Sequence, residues 1–207
     1  MGTQRMISFE HGFLFVHVPK TAGNSIQNIL RDYSEDRIVC VAPHQDGVER
    51  FEVRSDRYQV HKHSTLAEYQ AQLGQDGLDR LFKFSCVRNP WERAISRYFS
   101  PDRGSVEWDP GAFADFLACV EPLQHYVSLP GREQPPACFR NVDFYIRFER
   151  LNDDFRRVCD RLGLPFQPLP VRNRSRHGHY QEYYDKRSRK LVARKFAAEI
   201  DYFGYAF

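Results

Sequence analysis

A lysine lies in a short run of small and polar residues that follows an apolar segment. The run is Pro19–Ser25, with the sequence PKTAGNS, and it comes directly after the apolar segment Phe13–Val18. Small residues let a backbone approach an anion closely, and the free N–H groups at a helix start attract negative charge. Lys20 adds a positive charge. Neutral donors are added by Thr21, Asn24 and Ser25, and the small members are Ala22 and Gly23. The spacing predicts a loop that binds a phosphate or a similar anion.

This loop lacks the G-x-x-x-x-G-K-[ST] pattern that binds the phosphates of ATP or GTP. Lys20 stands three positions before Gly23 instead of following a glycine. Hydrolysis of a triphosphate requires Mg²⁺ to offset its charge, whereas a sulfuryl transfer has less charge to offset. The pattern therefore favours an anion other than a triphosphate. A P-loop nucleotide kinase or NTPase stays open as an alternative, as does a plain turn with a solvated Lys20.

An arginine and a serine eight positions apart suggest a second anion contact. Arg88 follows the predicted strand 81–87, and Ser96 lies in the predicted helix that opens after Asn89. Ser96 would stand about 10 Å along that helix, at ~1.5 Å per residue. A guanidinium and a hydroxyl can thus contact one phosphate from two sides. The alternative is an arginine–carboxylate pair and an incidental serine.

Apolar periodicity divides the chain into alternating strands and helices. The predicted strands are 13–18, 38–41, 81–87 and 142–148. The predicted helices open near 24, run from 65 to 74, follow 89, and cover 113–119, 151–162 and 187–203. Such alternation predicts an α/β domain with a central, mainly parallel sheet and helices on both faces. Ligands of such sheets bind at the carboxyl ends of the strands, where both anion contacts fall.

Composition bounds the class of protein. The 207 residues, 42% of them hydrophobic, fit a single domain. Thirty basic against 27 acidic residues give a net charge of +3, too mild for a nucleic-acid coat. Five cysteines, an odd number without a Cys-x-x-Cys pair, favour a reducing compartment. Without a signal peptide or an apolar stretch of about 20 residues, we expect a cytoplasmic protein with no membrane span.

Two segments together resemble the PAPS-dependent sulfotransferases, where PAPS is 3'-phosphoadenosine 5'-phosphosulfate. HVPKTAGNS at 17–25 is similar to their 5'-phosphosulfate loop, and RNPWERAISRY at 88–98 resembles their 3'-phosphate motif. RFERL at 147–151 looks like a further landmark. The resemblance is closest to the carbohydrate sulfotransferases that include heparan sulfate 2-O-sulfotransferases and small bacterial members. It covers the chain except 35–58 and 101–138, and implies one sulfotransferase domain, 1–207, with a P-loop-like fold.

The resemblance implies roles for residues at the donor site. Lys20 would contact the 5'-phosphate and the bridging oxygen, and Arg88 and Ser96 would hold the 3'-phosphate. The 5'-phosphosulfate would be surrounded by Thr21, Ala22, Gly23, Asn24 and Ser25; Asn24 stands where Thr or Ser is more usual. A similar basic loop closes over the nucleotide in the family, which implies contacts from Arg172, Asn173, Arg174 and Ser175, with Tyr180 or Tyr183 stacking. The product would be 3',5'-adenosine bisphosphate, and no metal is implied.

A histidine is the expected general base for the acceptor hydroxyl. The segment His61-Lys62-His63 is similar to a His-x-His segment of the 2-O branch, whose second histidine is the base. We therefore predict His63 as the base. His61 is the alternative base, and if it is not the base we expect it to contact the acceptor. Two other interpretations stay open: His63 merely caps or packs, or a zinc site forms from His61, His63, His177 and His179.

The acceptor side is expected in the proline-rich stretch 101–141, because long irregular loops on a rigid sheet often carry specificity. Candidate contacts there are Trp108, His125, Tyr126 and Arg132. The expected partner is a hydroxyl-bearing acceptor, a glycan by the resemblance, and not a nucleic acid. A binder of RNA or another polyanion through 172–176 is the remaining alternative.

Overall fold

A computed structural model describes residues 6–34, 37–40, 51–54, 59–100, 103–170 and 177–207, with the backbone alone at 37–40 and 51–54. The strands are β1 Ile7–Ser8, β2 Phe13–Val16, β3 Arg37–Cys40, β4 Phe51–Arg54, β5 Phe82–Val87 and β6 Phe144–Arg147. The helices are α1 Gly23–Leu30, α2 Leu66–Asp79, α3 Pro90–Tyr98, α4 Pro110–Ala118, α5 Leu123–Val127, α6 Leu151–Leu162, α7 Lys186–Lys195 and α8 Ala197–Phe203.

The central sheet has four strands in the order β1-β2-β5-β6. Strand β2 pairs with β5 in parallel and β5 pairs with β6 in parallel, while the short β1 runs antiparallel to β2. The mainly parallel α/β sheet predicted from the alternation is confirmed. Strands β3 and β4 form a separate antiparallel pair, of which only β3 was expected from the sequence.

Helices cover both faces of the sheet, as predicted, because side chains of a strand alternate between its faces. Leu14 and Val16 of β2 pack in one cluster with side chains of α2. Phe13 and Phe15 pack in a second cluster with side chains of α1 and α6. The sheet is therefore buried on both sides, which holds the carboxyl ends of its strands in fixed positions.

A third cluster lies where α3, α4 and α7 pack together. It is rich in aromatic rings, and Trp108 is one of them, with its ring centroid 5.0 Å from that of Phe113 and 5.3 Å from that of Tyr98. The 3-10 turn Tyr180–Tyr183 packs on the same helix α3. This layer is built on the helix that carries the second predicted anion contact.

Two helix predictions are wrong, one in its end and the other in its continuity. The capping box at Thr65 opens α2 as expected, but α2 continues past Gly74 to Asp79 through a kink. Gly74 has φ 71° and ψ 169°, a conformation that glycine adopts without the steric cost of a Cβ atom. The helix expected over 187–203 is divided into α7 and α8 at Phe196, whose ψ of 22° is non-helical.

Four cysteines, Cys86, Cys119, Cys138 and Cys159, are free thiols. Burial raises the pKa of Cys86 well above its ordinary value and raises that of Cys159 to about 11. Both thiols are thus protonated, and they pack as small buried apolar side chains. Within the described part of the chain, no helix has the length and apolar character needed to cross a bilayer.

Candidate active site

The carboxyl ends of β2, β5 and β6 meet at one edge of the sheet. The backbone N–H of Asn89, just after β5, donates to Oε1 of Glu149, just after β6, over 2.7 Å. The guanidinium carbon of Arg88 lies 3.9 Å from the centre of the Phe148 ring. The start of the segment 88–98 and the further landmark 147–151 therefore lie side by side, as neighbouring parallel strands place them.

Residues 203–207 fold back onto the same edge. Arg147 Nη2 donates to the carbonyl oxygen of Phe203 over 2.8 Å, and Asn89 Nδ2 donates to that of Ala206 over 2.7 Å. The hydroxyl of Tyr205 lies 3.3 Å from Oε2 of Glu149. This segment thus joins the ends of β5 and β6 from outside the sheet.

The predicted anion loop contains two residues in the left-handed region. Lys20 has φ 65° and Ala22 has φ 74°, and α1 begins at the next residue, Gly23. No side chain caps the helix; instead the carbonyl oxygen of Ala22 accepts the amides of Ser25, at 3.0 Å, and Ile26, at 3.3 Å. The amides that precede Ser25 lie at the positive end of the helix dipole, as an anion loop requires.

The side chains of the loop are largely buried. Thr21 is fully buried, and its hydroxyl donates to the carbonyl oxygen of Val18 over 2.8 Å. Asn24 and Ser25 are also buried, whereas Lys20 is half-buried. The Thr21 hydroxyl therefore holds the loop together, and it is directed to the backbone of the chain.

His17 packs directly against the start of α1. A Cβ atom added to Gly23 would lie 2.0 Å from Cδ2 and Nε2 of His17, so only glycine fits there. His17 is 4% exposed. Burial, followed by the charges of His63 and Lys62, holds the pKa of His17 well below its ordinary value. This imidazole is neutral, and its Nδ1 has no hydrogen-bond partner among the described residues.

A hydrogen bond to the backbone of His17 holds His63 beside the loop. Nδ1 of His63 lies 2.9 Å from the carbonyl oxygen of His17, and the two rings are 4.5 Å apart. A carbonyl oxygen only accepts, so Nδ1 carries the proton and Nε2 of the neutral ring carries the lone pair. His61 is exposed, and its backbone N–H donates to Ser64 Oγ over 2.8 Å. Of the two candidate bases, His63 is the one that contacts His17, two residues before the loop.

Arg88 contacts the anion loop itself. Its Nη1 donates to the carbonyl oxygen of Lys20 over 3.1 Å, and its Nη2 lies 2.8 Å from Oε1 of Glu92. Ser96 lies two turns into α3 and is 2% exposed. The structure thus brings Arg88 to the loop and buries Ser96 in the helix that starts beside it.

The predicted acceptor residues have different surroundings. Trp108 is half-buried in the aromatic layer, and Tyr126 is 8% exposed in the core. Burial raises the pKa of Tyr126 above its ordinary value. His125 is exposed, and its ring packs at right angles against that of Tyr126, 4.9 Å away. Of these three side chains, only that of His125 is exposed.

The predicted closing loop, with Arg172, Asn173, Arg174 and Ser175, lies outside the described residues. Tyr183 packs with Phe99 at 5.1 Å and with Trp108 at 5.2 Å between ring centroids. Across the described ranges, no group of three or more His, Cys, Asp or Glu side chains is placed to hold a metal ion. The histidines considered for zinc are not assembled into such a group.

The sequence analysis did not single out His17 as a site residue. The arginine–carboxylate pair that it left open for Arg88 is present, and its partner is Glu92, in the first turn of α3. His17 stands in the quoted HVPKTAGNS segment and was treated only as part of a strand. Its contact with Gly23, six residues further along, depends on the left-handed loop between them.

Comparison with known proteins supports the resemblance. Residues 3–104 match the model of the sulfotransferase family, a span that contains the Pro19–Ser25 loop, His63, Arg88 and Ser96. On this match, residues 3–104 belong to the sulfotransferase family, which supports sulfuryl transfer as the class of reaction. Searches of curated proteins and of solved structures gave no match.

Proposed function

We propose that this protein transfers a sulfuryl group from PAPS to an acceptor hydroxyl at the edge formed by β2, β5 and β6. The observation that carries this proposal is the contact of Arg88 with the carbonyl of Lys20 over 3.1 Å, which joins the two segments matched to the family. The left-handed loop and the amides at the start of α1 fit a 5'-phosphosulfate, because they present donors and the dipole of a helix. Arg88 and Ser96 are the proposed contacts of the 3'-phosphate.

The residues around the loop have complementary roles in this proposal. The proposed reaction forms a bond between the acceptor oxygen and sulfur and breaks the bond between sulfur and the bridging oxygen of the 5'-phosphate. Nε2 of His63 takes the proton of the acceptor hydroxyl, and His17 supports it by fixing the other nitrogen as a donor. Lys20 offsets the charge that develops on the leaving oxygen, and the preorganised amides before Ser25 stabilise the same region.

The proposed acceptor is a hydroxyl-bearing glycan, in keeping with the carbohydrate branch that the sequence resembles. His125 supports a place for it on the surface, since it is exposed in the stretch expected to form the acceptor mouth. Trp108 offers an aromatic edge of the kind that contacts sugar rings, although most of its ring packs against Phe113 and Tyr183. Arg172 to Ser175 remain proposed contacts of the nucleotide.

Mass spectrometry tests the reaction directly. The protein is incubated with PAPS and a panel of glycans, peptides with tyrosine, and small alcohols and phenols. The expected result is a gain of one sulfuryl group on an acceptor, together with formation of 3',5'-adenosine bisphosphate. Calorimetry supplies the competing arm: tight binding of ATP–Mg²⁺ with no binding of the bisphosphate would instead support a nucleotide kinase or NTPase.

A further inference from the structure

The loop Pro19–Ser25, called the donor loop below after its proposed ligand, has a backbone conformation that its residue types do not favour. Lys20 and Ala22 both have positive φ values, 65° and 74°. A Cβ atom makes this region costly, by about 1–3 kcal/mol for a strained residue, unless the surroundings hold it. Contacts from outside the loop are therefore expected to maintain it, and these contacts control where the Lys20 side chain starts.

Arg88 supplies such a contact. Its Nη1 donates over 3.1 Å to the carbonyl oxygen of Lys20, which is the first left-handed residue of the loop. The side chain of Arg88 is only 9% exposed. A hydrogen bond between a buried cation and a carbonyl oxygen is stronger than a neutral one, so this contact is suited to hold the peptide plane after Lys20.

The guanidinium is itself held from two further sides. Glu92, one helical turn after Arg88, places Oε1 2.8 Å from Nη2. The ring of Phe148, from the end of β6, lies 3.9 Å from the guanidinium carbon. A carboxylate and an aromatic face together fix both the direction and the plane of a guanidinium. The position of the Lys20 carbonyl is thereby connected to α3 and to β6.

We infer that Arg88 and Glu92 are positioning residues of the donor loop: Glu92 orients Arg88, and Arg88 holds the left-handed backbone of Lys20. The inference rests on the proposed function, because that function gives the loop its ligand. It adds to the proposed 3'-phosphate contact of Arg88 a role on the 5' side of the nucleotide. The Glu92 carboxylate offsets the guanidinium charge, so the pair acts on the loop through geometry more than through attraction of an anion.

The affinities of two nucleotides distinguish a positioning role of Arg88 in the loop from a contact with the 3'-phosphate alone. Calorimetry measures the affinity of 3',5'-adenosine bisphosphate and of 5'-AMP, which lacks the 3'-phosphate, for the wild type and for four variants. Arg88→Met keeps an unbranched side chain against Phe148 and removes the donors, and Glu92→Gln removes the charge that orients Arg88. Ser96→Ala is the control for the 3'-phosphate, and Lys190→Met is the control for loss of an exposed positive charge.

We expect Arg88→Met to weaken 5'-AMP by about tenfold or more, the value of one charge-assisted hydrogen bond, and to weaken the bisphosphate by at least the same factor, because its proposed 3'-phosphate contact is lost as well. Glu92→Gln should weaken both by a smaller common factor. Ser96→Ala should affect the bisphosphate alone, and Lys190→Met neither. A loss with Arg88→Met that is confined to the bisphosphate, with 5'-AMP bound as by the wild type, overturns the inference.

Hydrogen exchange tests the inference even if the proposed donor is wrong. If the wild type binds neither nucleotide, the proposed function fails, and amide exchange at residues 20–23 is then the decisive measurement. Faster exchange there in Glu92→Gln, with α6 unchanged, supports the positioning role, and unchanged exchange at 20–23 overturns it. Glu92→Gln is the variant for this measurement because it keeps the side-chain volume and the buried Arg88, should Arg88→Met fail to fold.

Discussion

Nδ1 of His63 donates to the backbone carbonyl of His17 over 2.9 Å, although the two residues are 46 positions apart. This bond joins the segment before α2 to His17, two residues before the proposed donor loop Pro19–Ser25. A main-chain carbonyl oxygen can only accept a hydrogen bond, so this contact places the proton of the neutral His63 ring on Nδ1. The geometry leaves Nε2 as the basic nitrogen of an exposed ring.

His63→Ala tests the role of that nitrogen. We expect kcat to fall by about 100-fold or more, the usual contribution of a general base, while the dissociation constant of 3',5'-adenosine bisphosphate stays the same. Steady-state kinetics and calorimetry give the two values. The matched control is His61→Ala, which removes the neighbouring exposed histidine. A collapse of nucleotide affinity in His63→Ala would place His63 in the donor site instead.

Gly23→Ala should disrupt the donor loop. The added Cβ would lie 2.0 Å from the His17 ring, a distance that real atoms do not tolerate, so the ring or the start of α1 must move. We expect at least a tenfold loss of bisphosphate affinity by calorimetry, about 1.4 kcal/mol. Gly77→Ala, whose Cβ would meet only Leu73 Cβ at 3.2 Å, is the control within a helix.

His17→Ala combined with Gly23→Ala completes this experiment. Removing the imidazole makes room for the new methyl group, so the double variant should bind the bisphosphate more tightly than Gly23→Ala alone. Strictly additive losses in the two variants would show that the contact between His17 and Gly23 does not control the loop.

How much of this site the sequence predicted depends on how local its determinants are. Asn89, Pro90 and Glu92 specify the start of α3 within a few residues, and Gly163 ends α6, so both helices were predicted closely. The anion loop was found because its small residues and lysine are contiguous. These features are set by short-range capping and by the period of the apolar side chains.

The remaining features depend on pairs that are distant in the sequence. Parallel pairing of β2 with β5 brings Arg88 to Lys20, 68 positions away, and no periodicity encodes which carbonyl the guanidinium meets. The burial of His17 follows from the packing of α1 on the loop. Gly74 shows a local signal that packing overrides. Glycine usually ends a helix, yet α2 continues beyond Gly74 and buries apolar side chains on both sides of it.

The stability of the protein should fall in mild acid because of His17. The folded state keeps this imidazole neutral at a pKa well below the ordinary 6.5, whereas the unfolded chain binds a proton at about that pH. The unfolded state thus binds more protons below pH 6.5, and the free energy of unfolding decreases as the pH falls from there toward the lowered folded pKa. The slope for one proton is about 1.4 kcal/mol per pH unit.

Urea unfolding between about pH 7 and about pH 5 measures this slope. His17→Phe, which keeps a ring of similar shape without a titrating group, should reduce the slope relative to the wild type. His61→Gln, at an exposed histidine, should leave it as it is. An unchanged slope in His17→Phe would assign the acid sensitivity to other groups.

The ion pair between Arg93 and Glu199 joins α3 to α8 in the interior. Arg93 Nη2 lies 3.2 Å from Glu199 Oε1, and the two side chains are 4% and 6% exposed. Burial raises the pKa of Glu199 despite the neighbouring Arg93. Removing one partner leaves a buried charge, so Arg93→Met should lower the free energy of unfolding by about 3–5 kcal/mol in urea titrations.

Two controls define that result. The double variant Arg93→Met with Glu199→Leu should recover much of the lost free energy, because neither charge then remains unpaired. Arg31→Met, which breaks the exposed pair with Asp32, should change the free energy by less than about 1 kcal/mol. A loss in the double variant as large as in Arg93→Met would show that the cost arises from packing.

The attachment of residues 203–207 to the ends of β5 and β6 has a consequence for biosynthesis. On the ribosome, both segments proposed to bind the donor emerge long before these residues, and β2, β5 and β6 are complete once residue 147 is free of the exit tunnel. Phe203 and Ala206 then supply carbonyl oxygens to Arg147 and Asn89. A nascent chain can therefore form its sheet early, yet it acquires the full set of contacts around the site only after residues 203–207 have also left the tunnel.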